Sequence, residues 1–336
     1  MSNVQPQFTP ALEAEHFYHV TPDEVDQLVE ELKVMNPPAL RIDVFRQYTG
    51  RNAYAMTLTD PAGDPESKRR LFVSRPHAHE PAGVAACMEL VKTLVKYKGY
   101  EDANDQWRRW TLENFIITFV PDANPGGSQR APVKFWDGSK IPNEKFFLWM
   151  FGESGEKQGD RFPRVAAWDM REVTPPALLG IAYEQIDEHT YVEPNRDYRS
   201  TFFRSFFEMD ETYHYHTWLD LHQTEYLNSD RNAHVNLPTC YEDFSEEMQK
   251  RFYSLGEAIL ARWKREGAQP VEHPQISYRS RGTQWQLLDK VWRPVAERMI
   301  HVVSEVQNNN PRTPVPMQVR FQLAAMLGTM EWMMTD

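Results

Sequence analysis

Val25, Leu28, Val29 and Leu32 recur at the i, i+3, i+4, i+7 spacing that lines one face of a helix, and Thr21-Pro22-Asp23-Glu24 just ahead of them reads as a capping box with proline in the first turn. The pattern predicts a helix that opens at Thr21 and ends near Asn36-Pro37. Residues 41–47 and 53–58 are alternating, β-rich runs on either side of Thr49-Gly50-Arg51-Asn52, which predicts two strands joined by a hairpin. A third strand, over 71–74, stops at the polar cluster His77-Ala78-His79-Glu80. Beyond it, Val84, Cys87, Met88, Val91 and Val95 form the apolar stripe of a helix that starts at Pro81.

The run over 115–120 is too short for a helix and ends in Pro-Asp-Ala-Asn-Pro-Gly-Gly, so it reads as a strand buried on both faces. Thr217-Trp218-Leu219-Asp220-Leu221 is the next strand and delivers His222. Residues 241–265 form a helix with Phe244, Met248, Phe252, Leu255 and Ile259 inward, 299–303 a strand that delivers Glu305, and 317–333 a final helix with Val319, Leu323, Met326, Leu327 and Met330 inward. Between about 128 and 190 the chain is rich in glycine, proline and aromatics and lacks clean periodicity, the mark of a long functional loop or insertion.

Strands alternating with helices imply an α/β fold: a mixed, largely parallel twisted sheet flanked by helices on both faces, here expected as one domain over residues 1–336. Ligands of such sheets sit beyond the carboxyl ends of the strands. Four apolar strands end at His77 and Glu80, at Asn124, at His222 and at Glu305.

The chain has 336 residues, enough for a core that needs neither disulfides nor a structural metal, and only two cysteines, Cys87 and Cys240. Cys87 lies on an apolar stripe and is expected to be a core thiol. A formal net charge of −11 argues against nucleic acid or an anionic membrane as partner. The first twenty residues have no basic or apolar leader pattern, and no apolar run approaches the ~18 residues of a spanning helix. A soluble, cytoplasmic protein is the expectation; oligomeric state and substrate stay open.

His77 and Glu80 are three apart in a turn leading into a helix, so an imidazole and a carboxylate can converge on one side. Chance supplies about one H-x-x-E in a chain of this composition, so the surroundings decide. A catalytic zinc takes three protein ligands and keeps a position open for water, and two histidines with one glutamate is such a set. His77, Glu80 and His222 supply it. A rival set would use His214 and His216 with His222, which reads more simply as a histidine pair on a sheet edge.

With these residues in place the chain resembles the zinc carboxypeptidases of the carboxypeptidase A-like family. His77 and Glu80 match the family's H-x-x-E, and His222 its distant third ligand. Gly50-Arg51-Asn52 with Tyr54-Ala55-Met56 resembles the strand-turn-strand before the first ligands, and Asn124-Pro125-Gly126-Gly127 the N-P-D-G loop. Glu193-Pro194-Asn195-Arg196-Asp197 resembles the segment whose Asn and Arg hold the substrate's terminal carboxylate, and Ser304-Glu305-Val306 the segment of the catalytic glutamate. The resemblance runs over roughly residues 18–334. It implies one zinc per chain, Glu305 as general base and then acid, Asn195 and Arg196 as substrate-binding residues, and an arginine stabilising the oxyanion, for which Arg130 is the first candidate and Lys134 the second.

Three positions depart from the pattern. Gly126 replaces the aspartate of N-P-D-G, His79 the arginine that many members carry between the first two ligands, and Tyr278 lies earlier than the substrate-covering tyrosine should. The expected function is hydrolysis of a C-terminal peptide bond. The alternative is an amidase or deacylase on the same scaffold, acting on a modified amino acid, a cell-wall peptide or a natural-product intermediate. A non-catalytic binding module is disfavoured because all three ligands and Glu305 are retained.

Overall fold

The computed structural model describes residues 5–11, 14–100, 104–153, 161–172, 178–225 and 229–336; parts of the aperiodic stretch, 154–160 and 173–177, lie outside these. The first helix, α1 (Pro22–Met35), has the anticipated capping box. Thr21 Oγ1 accepts from the Glu24 N–H at 3.3 Å and Glu24 Oε2 accepts from the Thr21 N–H at 3.0 Å. Strands β1 (Leu40–Arg46) and β2 (Asn52–Leu58) form the hairpin, turning at Gly50 with φ +84°, a conformation that favours glycine. Then follow β3 (Arg69–Ser74), α2 (Pro81–Val95), α3 (Asp105–Asn114), β4 (Phe115–Val120) and a single turn, α4 (Pro125–Ser128).

The aperiodic region is partly structured: α5 (Asn143–Phe151) and the short strands β5 (Gly152–Glu153), β6 (Ala167–Asp169), β7 (Leu178–Leu179), β8 (Glu184–Gln185) and β9 (Thr190–Val192) pair in two small ribbons. The chain continues through α6 (Thr201–Tyr213), β10 (Thr217–Thr224), β11 (Ala233–Leu237), α7 (Glu246–Arg265), β12 (Gln275–Ile276), α8 (Thr283–Ala296), β13 (Ile300–Gln307) and α9 (Val315–Met333).

The eight-stranded sheet has the order β1-β2-β4-β3-β10-β13-β11-β12, with parallel pairing at β4-β3, β3-β10, β10-β13 and β11-β12. It is mixed and largely parallel, as the alternation of elements implied. Side chains alternate between two buried faces. Leu71, Val73, Leu219, Leu221, Ile300 and Val302 pack against α2, α7 and α9, whereas Phe72 and Trp218 meet Phe202, Phe203 and Phe206 of α6 and Trp292 of α8.

Two boundaries differ from expectation. The helix expected from 241 begins at Glu246, where Ser245 Oγ accepts from the Met248 N–H at 3.3 Å, because a side-chain cap outcompetes an uncapped earlier start. His222 and Glu305 lie inside β10 and β13, near their carboxyl ends, since the parallel ladder between the two strands runs on through both residues.

The loops after β3 and β4 are locked together beneath the carboxyl edge. Arg75 N–H donates to Val120 O at 3.2 Å and Ala123 N–H to Arg75 O at 3.1 Å. The Arg75 guanidinium reaches Asp122 Oδ1 at 3.0 Å with both side chains almost fully buried, 1% and 4% exposed. Breaking a buried pair strands a charge. Asp122→Ala is therefore expected to destabilise the protein by about 3–5 kcal/mol in denaturant unfolding, while an exposed-pair variant such as Asp230→Ala, whose Arg312 partner is solvated, changes stability by less than about 1 kcal/mol.

Candidate metal centre

The β3–α2 loop is a tight turn in which the Glu80 N–H donates to His77 O at 3.0 Å, so both side chains come off one bend. Glu80 occupies the N-cap position of α2 but does not cap it. Gln223 takes over that task, its Oε1 accepting from the Ala82 N–H at 2.9 Å, which leaves the Glu80 carboxylate for the imidazoles. His77 Nδ1 lies 3.0 Å from Glu80 Oε1, and His222 Nδ1 lies 3.3 Å from Glu80 Oε2. The two rings meet edge to face with centroids 4.7 Å apart. The sequence reading joined these three residues from distant parts of the chain, and the fold brings them together.

Each imidazole is fixed by a carboxylate on its far nitrogen. His77 Nε2 is 2.7 Å from Glu193 Oε1 and His222 Nε2 is 2.8 Å from Asp220 Oδ2. Carboxylates in this position orient metal-ligating histidines and raise their basicity. Asp220 is on β10 two residues before His222 and so on the same face; Glu193 directly follows β9. Neither was singled out for this role in the sequence.

His79 is the competing third ligand. One donor atom each from His77, His79 and Glu80 lies within 4.8 Å of the others, the only such group of three among the described residues. His79 Nε2 is 3.4 Å from Glu80 Oε1, but its Nδ1 has no partner among the described residues and its ring stacks on His77 with centroids 5.2 Å apart. Burial pushes its pKa down to about 4. His222 differs because two carboxylates address it. Burial opposes a charge there, yet Asp220 and Glu80 more than offset this and raise its affinity for a proton well above the ordinary value. The same field favours a divalent cation. Glu80 Oε2, buried and without a hydrogen bond, is a further donor suited to one, so the residues present fit a metal.

A cavity of about 400 Å³ opens from this cluster, with Glu305 and Tyr278 on its wall. Glu305 stands beside His222 in the parallel register of β13 and β10. Burial, with repulsion from Glu80 and Asp220, raises its pKa to about 8 against the opposing pull of His222 and Arg164. Asn195 and Arg196 line the same cavity, as does Arg164, which the sequence reading missed because it lies in the stretch without periodicity. Arg164 Nη2 and Arg196 Nη1 both donate to Glu193 Oε1, at 2.7 and 3.0 Å. Burial and the neighbouring Arg164 lower the Arg196 pKa to about 10.

Arg130, the first choice for oxyanion stabilisation, is placed elsewhere. Its guanidinium donates to the carbonyls of Gly126, Leu179, Gly180 and Tyr183, at 3.3, 3.2, 3.3 and 3.0 Å, and it is not among the residues lining the cavity. Lys134 pairs with Glu24 at 2.8 Å, also away from the cavity. The rival histidines are apart from the cluster: His214 ends α6 in a left-handed conformation and His216 Nδ1 accepts from the Arg70 N–H at 3.4 Å. Cys87 and Cys240 are buried free thiols.

A buried two-histidine, one-glutamate cluster at the carboxyl edge of this sheet, with a carboxyl group across the cavity, is a candidate metal site. Residues 25–162 match the family model of the zinc carboxypeptidases. The fold is similar to that of a metallo-carboxypeptidase from Burkholderia cenocepacia (14% identity, 94% of this chain and 70% of that chain, TM-score 0.61). It is likewise similar to carboxypeptidase A from Helicoverpa armigera (11%, 98% and 77%, TM-score 0.56) and to bovine thrombin-activatable fibrinolysis inhibitor in complex with tick carboxypeptidase inhibitor (12%, 95% and 96%, TM-score 0.55). No curated protein sequence matches the chain. The family match over residues 25–162 and the shared fold make this chain similar to the zinc carboxypeptidases. No helix of the described residues is long and apolar enough to cross a membrane.

The ligand choice is open to direct measurement. Zinc content by mass spectrometry of metals is expected to be lost in His77→Ala and His222→Ala while circular dichroism stays native. His79→Ala is expected to keep stoichiometric zinc, and the reverse pattern would make His79 the third ligand.

Proposed function

We propose that the protein is a zinc-dependent metallocarboxypeptidase, binding one zinc per chain through His77, Glu80 and His222 and hydrolysing the C-terminal peptide or amide bond of a peptide substrate. The observation that carries this reading is the charge balance beside the metal cluster. Two guanidiniums, Arg164 and Arg196, converge on one oxygen of a single carboxylate, Glu193. The group carries a surplus positive charge that a substrate carboxylate would neutralise. Arg196 also donates to Asn195 Oδ1 at 2.6 Å and, through Nε, to Gln284 Oε1 at 3.1 Å. That leaves Nη2 of Arg196 and the amide nitrogen of Asn195 as donors for a planar anion.

Bound zinc supplies a Lewis acid that polarises the scissile carbonyl and acidifies water. Glu305, across the cavity, takes the proton of the attacking water and hands it to the leaving amine, work that needs a carboxyl group close to the pH of operation. Arg164, beside His77 and lining the cavity, is the donor for the developing oxyanion in place of Arg130. Tyr278, 41% exposed on the cavity wall, covers the bound substrate despite its early position in the sequence.

Glu305→Gln preserves shape but removes the base, so zinc content is expected to stay unchanged while kcat falls at least ~10²-fold. Normal turnover would move the base elsewhere. Arg196→Ala is expected to lower kcat/KM at least ~10-fold on peptides with a free terminal carboxylate and much less on the same peptides amidated, since a hydrogen bond to a charged group is worth ~1.5–3 kcal/mol. A wild type that prefers amidated peptides would favour the amidase reading of the same scaffold.

A further inference from the structure

The cavity does not stop at Glu305. Glu305, Val303 and His301 alternate along one face of β13, and all three line it, so the recess follows the strand for roughly 13 Å at about 3.3 Å per residue. Asn236, beside Val303 in the antiparallel register of β11, and Leu288 and Trp292 of α8 form the side walls. The charged residues lining the cavity, Glu80, Glu225, Glu305, Arg164 and Arg196, belong to the metal end. Among the described residues the far end has none to meet a charged side chain.

His301 ends the recess with unused hydrogen-bonding capacity. It is 3% exposed, and neither ring nitrogen has a hydrogen-bond partner among the described residues. Its plane is fixed by stacking on Trp292, with centroids 3.8 Å apart and 9° between the planes, and by the edge of Trp218 at 5.7 Å. Trp292 in turn donates from Nε1 to Asn195 O at 3.1 Å, so the residue that positions the imidazole also touches the proposed carboxylate site. Burial keeps the ring neutral, its pKa lowered to about 3, and a neutral imidazole offers one donor and one acceptor. Buried polar atoms left unpaired are costly, so a ligand that satisfies both is favoured over one that satisfies neither.

We propose that this recess is the side-chain subsite of the carboxypeptidase and that His301 makes it select uncharged C-terminal residues ending in a hydrogen-bonding group, an amide or a hydroxyl. The proposal rests on the carboxypeptidase reading above. It predicts poor acceptance of lysine, arginine, aspartate and glutamate, whose charges would be buried without a counter-charge, and discrimination against apolar side chains of the same size.

The test uses the zinc-loaded full chain and N-benzoyl-glycyl-X peptides in which X is glutamine, tyrosine, leucine, phenylalanine, lysine or glutamate. The wild type is expected to show kcat/KM at least ~10-fold higher for glutamine over leucine, or for tyrosine over phenylalanine, with lysine and glutamate below both; which pair shows the preference tells amide from hydroxyl. In His301→Leu, with zinc content unchanged, the preferred pair is expected to fall to a ratio near one, and His301→Gln to restore part of it. Turnover with no such preference in the wild type, or a preference untouched in both variants, overturns the assignment of His301 alone. No turnover of any free-carboxylate peptide, with the amidated series hydrolysed or not, overturns the carboxypeptidase reading and this proposal with it.

Discussion

The site depends on the parallel pairing of β10 with β13. That ladder sets His222 beside Glu305 and Trp218 beside His301, so one register fixes the proposed third ligand, the proposed base and the end of the recess. A slip of one residue would turn each of these side chains to the opposite face, into the core of α2, α7 and α9. The register is braced from that face by α9. Gln322 donates to His222 O at 2.6 Å and accepts from Ser304 Oγ at 3.1 Å, bridging both strands at the level of the ligand. One turn earlier, Gln318 accepts from Gln223 at 2.8 Å, and Gln223 caps α2 next to Glu80. Two glutamines at helical spacing thus tie His222 to the turn that carries His77 and Glu80.

The cavity then divides into three electrostatic zones. At the metal cluster carboxylates predominate: Glu80 faces both imidazoles, with Asp220 and Glu193 behind them, so a cation is favoured. At Arg164 and Arg196 the balance reverses, because Glu193 serves both guanidiniums and His77 through one oxygen. Along β13 beyond Glu305, at Val303 and His301, the lining becomes neutral. An extended substrate laid across these zones would be read three ways, by the polarised carbonyl, the terminal carboxylate and the side chain, and each reading uses a different physical term.

Much of this was legible in the chain because the signals were local. The capping box at Thr21, the buried strand at 115–120 and the H-x-x-E turn each state their structure within a few residues. The helices α6 and α8 were not, since Phe202, Phe203 and Phe206 sit among polar residues whose inward face is defined only by Trp218 of the sheet and Trp292 of α8, packed on the same side. The same holds for the carboxylates behind the ligands. Asp220 lies in a strand where a charged residue looks like an interruption, and only the imidazole two positions on explains it. Arg164 and Glu193, 29 residues apart, meet only because the ribbon of β6 with β9 folds their segments together.

Arg130 shows how a residue can be placed wrongly by sequence and still matter to the site. As a free guanidinium near the metal it would have stabilised charge directly. Instead it gathers the carbonyls of Leu179, Gly180 and Tyr183, pinning the return of the insertion onto the Asn124–Gly127 turn. Gly180 is held so closely against the Met150 carbonyl that a Cβ there would lie 2.1 Å from its oxygen, and Ala182 N–H donates to that same oxygen at 3.1 Å. Met150 and Phe151 are thereby held at the cavity wall, and Arg164 lies over the Phe151 ring at 5.6 Å. On the proposed reading the charge that the chemistry calls for falls to Arg164, and Arg130 holds the backbone that carries Met150 and Phe151 at the cavity wall.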